Sequence, residues 1–92
     1  MVSEYKIMFS KLADKDKKLL KQAGLEDKTK KLLDIIADNP YQIPPSYEKL
    51  RGNLDGLFSR RISLQHRLVY KVYEDTKEVF IVRMWSHYDK VK

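Results

Sequence analysis

The chain contains no cysteine, so neither a disulfide nor a thiolate-held metal can staple its fold, and nothing argues for an oxidising compartment. Its two histidines, His66 and His87, stand alone, without the spacing of a metal site. Glycine is scarce as well, and Gly52 and Gly56 are too isolated to form a phosphate-cradling loop. No apolar run approaches the roughly 18 residues of a membrane span, and Met1-Val2-Ser3-Glu4-Tyr5-Lys6 lacks the apolar centre of a signal peptide. No serine elbow, helix-turn-helix signature, internal repeat or low-complexity segment is visible. These absences leave the expectation of a soluble cytoplasmic protein, away from membranes, using neither cofactor nor metal.

What remains is a short, basic chain. At 92 residues it has room for one core and not two, so residues 1–92 are read as one unit. The formal charge of +6 creates a field that favours polyanions or an acidic partner. Much of that charge sits on lysines in helical segments, where a solvated face is the plainer explanation.

The periodicities divide the chain cleanly. Tyr5, Ile7 and Phe9 alternate as in a half-buried strand, and Ser10 can cap a helix over residues 11–23. Leu12, Leu19, Leu20 and Ala23 are the predicted apolar stripe of that helix, which Gly24 ends. A second helix over 25–38 presents Leu25, Thr29, Leu32, Leu33 and Ile36, and Asn39-Pro40 stops it. The short connection predicts a helical hairpin. Residues 39–56 form the one long irregular segment, the kind of loop that often carries function.

Three predicted strands follow, over 57–64, 67–73 and 78–85, joined by turns at Gln65-His66 and Glu74-Asp75-Thr76-Lys77. Alternation places Phe58, Arg60, Ile62 and Leu64 on one face of the first and Ser59, Arg61 and Ser63 on the other, so Arg60 and Arg61 cannot both reach one site. The whole predicts an α+β domain: an N-terminal strand, a helical hairpin and a three-stranded antiparallel meander in one sheet, with the helices on one face. The other sheet face, or its edge, is left for function.

The charged residues of the second half admit a specific chemistry. Metal-free cleavage of RNA needs a base for the 2′-hydroxyl, cations for the phosphorane-like charge and an acid for the departing 5′ oxygen. Glu48 in the long loop is a candidate base, or a solvated glutamate. His87 is a candidate acid, or a histidine that merely ends a strand. Arg67, whose predicted face also carries Val69 and Tyr73, either grips phosphate or forms a structural ion pair. Tyr88 either stacks on an unpaired base or joins the core, and Trp85 is read as core.

The pattern Glu48-x-Leu50-Arg51-x-Asn53-Leu54-x-Gly56, then Ser59-Arg60-Arg61-Ile62-x-x-x-His66-Arg67-Leu68-Val69-Tyr70, then His87-Tyr88, resembles the YoeB/Txe toxins of bacterial toxin–antitoxin pairs. These are members of the wider RelE-like superfamily. The resemblance implies a ribosome-dependent mRNA endonuclease that enters the decoding site of the small subunit. It also implies a cognate antitoxin of the YefM/Axe type and a homodimer. Carried over by position, it places the base on Glu48, the phosphate-binding arginines on Arg61 and Arg67, the acid on His87 and the terminal tyrosine on Tyr88. Arg51 stands where the family often has a lysine and is carried over as a substrate-binding cation. The alternative is a non-catalytic toxin-fold binder, either a gyrase-type inhibitor or a basic RNA-binding module, which has no chemical need for this residue set.

Overall fold

The helical hairpin forms where the apolar spacing places it. A computed structural model describes residues 4–84. It begins with strand β1 (Lys6–Phe9), helix α1 (Lys11–Gln22) and helix α2 (Glu26–Asp38). Ser10 caps α1 by accepting from the Ala13 N–H at 2.9 Å, and its hydroxyl donates to the Val82 carbonyl at 2.7 Å. At the other end Gly24 adopts φ 74°. Its N–H bonds to the Lys21 carbonyl and that of Leu25 to the Leu20 carbonyl, the paired closure that a left-handed residue permits.

The buried stripe of α2 is the expected one, with Thr29, Leu32 and Ile36 buried and Leu25 and Leu33 packed beside them. That of α1 is not. Ala13, Asp16 and Leu20 are buried, whereas Leu12 and Leu19 are 51% and 38% exposed. Leu20 is common to both, and the centre of the buried face lies about 55° round the helix from the expected one, at about 100° per residue. A polar requirement turns it there. Asp16 accepts from Arg83 Nε at 2.9 Å, Arg83 Nη2 at 3.3 Å and the Met84 N–H at 3.0 Å, so it must face the sheet, and a buried carboxylate is tolerated only when so paired.

The remaining elements are β2 (Glu48–Lys49), a 3-10 turn (Gly52–Leu54), β3 (Phe58–Arg61), β4 (Arg67–Tyr73) and β5 (Glu78–Arg83). They make one five-stranded sheet in the order β1-β5-β4-β3-β2. The expected antiparallel meander is β3, β4 and β5, with β1 added parallel to β5. β2 is an extra strand, two residues long, paired antiparallel with β3. It was missed because so short a strand shows no alternation. Among the described residues, no helix is long and apolar enough to cross a membrane.

The first strand of the meander is also shorter than expected. It ends at Arg61 because residues 62–66 close on themselves. The Ile62 and Ser63 N–H groups donate to the His66 carbonyl, and Ser63 Oγ sits 2.8 Å from His66 Nδ1. Leu64, expected on the apolar face, is 83% exposed at the tip of this turn.

Helix residues Ala13, Leu20, Leu32 and Ile36 share a core with Ile62, Leu68, Tyr70, Val79 and Ile81. Cross-strand pairs Phe58↔Tyr70 and Arg60↔Leu68 put Arg60 on this helix-covered side. Arg60 is completely buried, and its guanidinium is satisfied by hydrogen bonds. Its Nε donates to the Tyr70 hydroxyl at 3.0 Å, its Nη2 to the carbonyls of Pro40 and Gln42 at 2.9 and 3.0 Å, and its Nη1 to that of Pro45. Tyr70 in turn donates to the Pro40 carbonyl at 2.8 Å. The irregular segment is thus laced to the core before it enters β2.

A second clasp lies at the β4–β5 turn, where Tyr41, Tyr5 and Lys77 all donate to the Glu74 carboxylate. The Tyr41 hydrogen bond first, then that of Tyr5, holds the Glu74 carboxyl below its ordinary value of 4.5. A depressed folded-state pKa contributes stability that is complete above the unfolded value and lost as pH falls through the folded one.

Two outcomes are expected. Arg60→Leu removes four hydrogen bonds and leaves the Gln42 and Pro45 carbonyls without the donor they have here, and it should lower unfolding free energy by roughly 3–5 kcal/mol, read as a fall in the urea midpoint. Stability of the parent should fall as pH drops below about 4.5, and Glu74→Gln should flatten that fall in urea titrations run between about pH 5 and pH 3.

Candidate functional site

Antiparallel pairing decides which side chains meet on the face away from the helices. Glu48 lies opposite Ser59, and Arg61 lies opposite Arg67. Directly opposed residues share a face, as do residues two apart on one strand. Glu48, Ser59, Arg61 and Arg67 therefore converge from three adjacent strands. Together with Ser46 and Tyr47 they line a polar cleft of about 290 Å³.

Within it Arg67 Nη1 donates to Glu48 Oε1 at 2.9 Å. The pair is lopsided: the Arg67 side chain is 14% exposed and that of Glu48 56%. The cation is seated in the fold, while the carboxylate stands at the rim in reach of solvent. Both alternatives for Arg67 thus meet in one place, because its ion pair lies inside the cleft.

Arg61 is exposed and borders a second groove of about 260 Å³ with Lys28, Lys31, Leu32, Ile35 and Ile62. The positive surface of the cleft accordingly continues onto α2. Arg51 is exposed and precedes the 3-10 turn, outside the set that lines the cleft. His87, Tyr88 and Trp85 lie outside the described residues. A separate hollow of about 280 Å³, bordered by Phe9, Leu20, Leu33 and Met84 among others, holds none of the candidate groups.

Two cleft residues were not singled out by sequence reasoning. Ser59 was placed on the same face as Arg61 but given no role. It is 1% exposed, and its hydroxyl has no hydrogen-bond partner among the described residues, an uncommon state for a buried donor. Tyr47 had no signal at all, because nothing in its neighbourhood alternates. Its ring packs edge-on to Phe58 at 5.5 Å between centroids, and the Arg60 guanidinium lies over it at 5.0 Å.

Comparison with known proteins adds the lineage. A family model described as the YoeB-like toxin of bacterial type II toxin-antitoxin systems matches residues 6–88. The chain belongs to the YoeB toxin family. It is 37% identical to the toxin YoeB of Synechocystis sp. over 75 residues, which cover 82% of this chain and 78% of that one. Among solved structures, the YoeB/ParE toxin from Agrobacterium tumefaciens superposes with a TM-score of 0.82 at 25% identity, covering 90% of this chain and 99% of the other. YoeB from Staphylococcus aureus, solved in a heterotetrameric complex with YefM, gives 0.77 at 36% identity, covering 91% and 98%. A YoeB from Staphylococcus aureus has also been solved as a dimer. The YoeB-family match runs through His87 and Tyr88, so both lie in the stretch that the family shares.

In this YoeB-family toxin the Glu48–Arg67 pair is half in solvent and should add little to stability. Glu48→Ala is expected to change unfolding free energy by less than about 1 kcal/mol. Urea melts of the two proteins check this, and a loss of several kcal/mol would make Glu48 a structural residue.

Proposed function

We propose that this YoeB-family toxin is an endoribonuclease that cuts messenger RNA in the decoding site of the ribosome. The observation that carries the reading is the meeting of one carboxylate and two guanidinium groups in a cleft of about 290 Å³. A phosphodiester needs such a set: acceptor and donors on either side of one phosphorus.

Glu48 takes the proton of the 2′-hydroxyl, whose oxygen attacks the adjacent phosphorus. Arg67 and Arg61 hold the non-bridging oxygens, where charge accumulates, and their planar forks suit that geometry. His87 protonates the 5′ oxygen as its bond to phosphorus breaks, leaving a cyclic phosphate and a free 5′-hydroxyl. Tyr88 completes the set that the family resemblance assigns, and Arg51 adds a peripheral cation near the approach of the chain.

The ion pair gives the cleft an order of events. A phosphate that engages Arg67 competes with Glu48 for the guanidinium. Loss of that partner frees the carboxylate oxygen to accept the proton of the 2′-hydroxyl as it arrives. Lys28 and Lys31, continuous with Arg61 across the second groove, extend the positive surface toward ribosomal RNA, a contact that weakens as salt rises. The proposed antitoxin is of the YefM/Axe type, as in the complex of the S. aureus relative, and the proposed free state is a homodimer, as in the YoeB dimer solved from S. aureus.

Primer extension on translating ribosomes tests the reading. Cleavage should fall by about 10²- to 10⁴-fold in Glu48→Ala and in His87→Gln, with the fold of each verified by circular dichroism. Message cut at the parental rate by both variants would remove the assigned base and acid and favour a binder without catalysis.

A further inference from the structure

Ser59 has a hydroxyl that the fold encloses and does not use. The residue is 1% exposed, and among the described residues its Oγ has no hydrogen-bond partner. A buried donor left without an acceptor is unfavourable, and alanine would fill almost the same space without that penalty. A serine here therefore weakens the fold slightly unless its hydroxyl meets something that arrives later.

The surroundings say what arrives. Strand β3 lies between β2 and β4, so the hydrogen bond that joins Glu48 on β2 to Arg67 on β4 spans two strand spacings, roughly 10 Å, and passes over β3. On this face β3 presents Ser59, opposite Glu48, and Arg61, opposite Arg67. The bridge starts in the row of Ser59 and ends in the row of Arg61. Ser59 is thus the floor under the carboxylate end of the pair, in the cleft that Arg61 and Arg67 also line. A ligand that takes Arg67 from Glu48 lifts this cover and finds the hydroxyl beneath it. The hydroxyl then adds a third donor to those of two guanidinium groups in one cleft, a set that fits the oxygens of a phosphate.

We propose that Ser59 Oγ binds the scissile phosphate, donating to one of its non-bridging oxygens once the phosphate has displaced Glu48 from Arg67. The assignment rests on the endoribonuclease reading and deepens it by adding a phosphate-binding residue beside Arg61 and Arg67. The hydroxyl is covered while the ion pair is closed and engaged while phosphate is held. Its hydrogen bond therefore favours the open pair, in which Glu48 can accept the 2′-hydroxyl proton.

Ser59→Ala removes the hydroxyl and keeps the space, so it separates binding from packing. Its urea midpoint should equal or exceed that of the parent, whereas single-turnover cleavage of ribosome-bound message should fall by about tenfold to a hundredfold. Messages with one phosphorothioate of defined configuration at the cut locate the contact. Sulfur is a weak acceptor, so the parent should lose rate when it replaces the oxygen that Ser59 serves. Ser59→Ala should lose most of that penalty and keep the penalty at the other non-bridging position, as two changes to one contact do not add. Parental cleavage by Ser59→Ala, a lowered urea midpoint, or both sulfur penalties unchanged in the variant would overturn the assignment. A parent that cuts no message on translating ribosomes would remove the endoribonuclease reading and this assignment with it, an outcome distinct from those three.

Discussion

Everything on the open face of the sheet depends on one buried cation on the other. Arg60 is completely enclosed, and among the described residues it forms no ion pair with a carboxylate. Taking a guanidinium out of water is costly, and here the cost is offset by directed hydrogen bonds to three carbonyls and a phenol. Those carbonyls belong to Pro40, Gln42 and Pro45, in a stretch with no regular structure of its own. The arginine replaces the backbone ladder that this segment lacks. Because the segment enters β2 at Glu48, the position of the candidate base is set from inside the core.

The neighbouring residue in the same strand has the opposite fate. Arg61 projects to the cleft and is exposed, although it differs from Arg60 only by one step of the pleat. β3 thereby separates two uses of the same side chain: one arginine holds the loop and the other faces the ligand. A one-residue slip would exchange them and place Ser59 in the core, so the register of β3 against β4 is the variable on which both fold and site turn. The Ser63–His66 turn is what fixes it, since it closes the β3–β4 connection through backbone and side-chain bonds together.

This division was partly legible in the sequence. Alternation alone placed Arg60 and Arg61 on opposite faces, and α2, the caps and the antiparallel meander followed from apolar spacing and from Ser10, Gly24 and Pro40. The parallel pairing of β1 with β5 was not legible, because alternation identifies a strand but not its neighbour. The face of α1 was misread for a different reason: apolar periodicity ignores Asp16, whose bonds to Arg83 and the Met84 N–H outweigh the burial of Leu12 and Leu19. Of the site, the residue types were readable and their convergence was not. Glu48 and Arg67 are 19 positions apart, and only the two-residue strand β2, invisible to any periodicity, brings them within 2.9 Å.

The same sheet explains how a small basic protein keeps its stability and its reactive groups apart. The core face is closed by helix side chains and can hold Arg60 rigidly. The cleft face carries Glu48 and Arg61, half in solvent and exposed, where ion pairs are weak and easily exchanged for a ligand. Arg67 sits between these conditions, its side chain 14% exposed. It is buried enough to be aimed, yet its partner Glu48 lies at the rim and can be displaced. A carboxylate buried as deeply as Asp16 would not release its arginine to a passing phosphate. A cation as exposed as Arg51 would not be held in position to receive one. The site therefore needs an intermediate depth, and the short strand β2 supplies it by bringing Glu48 to the sheet edge without enclosing it.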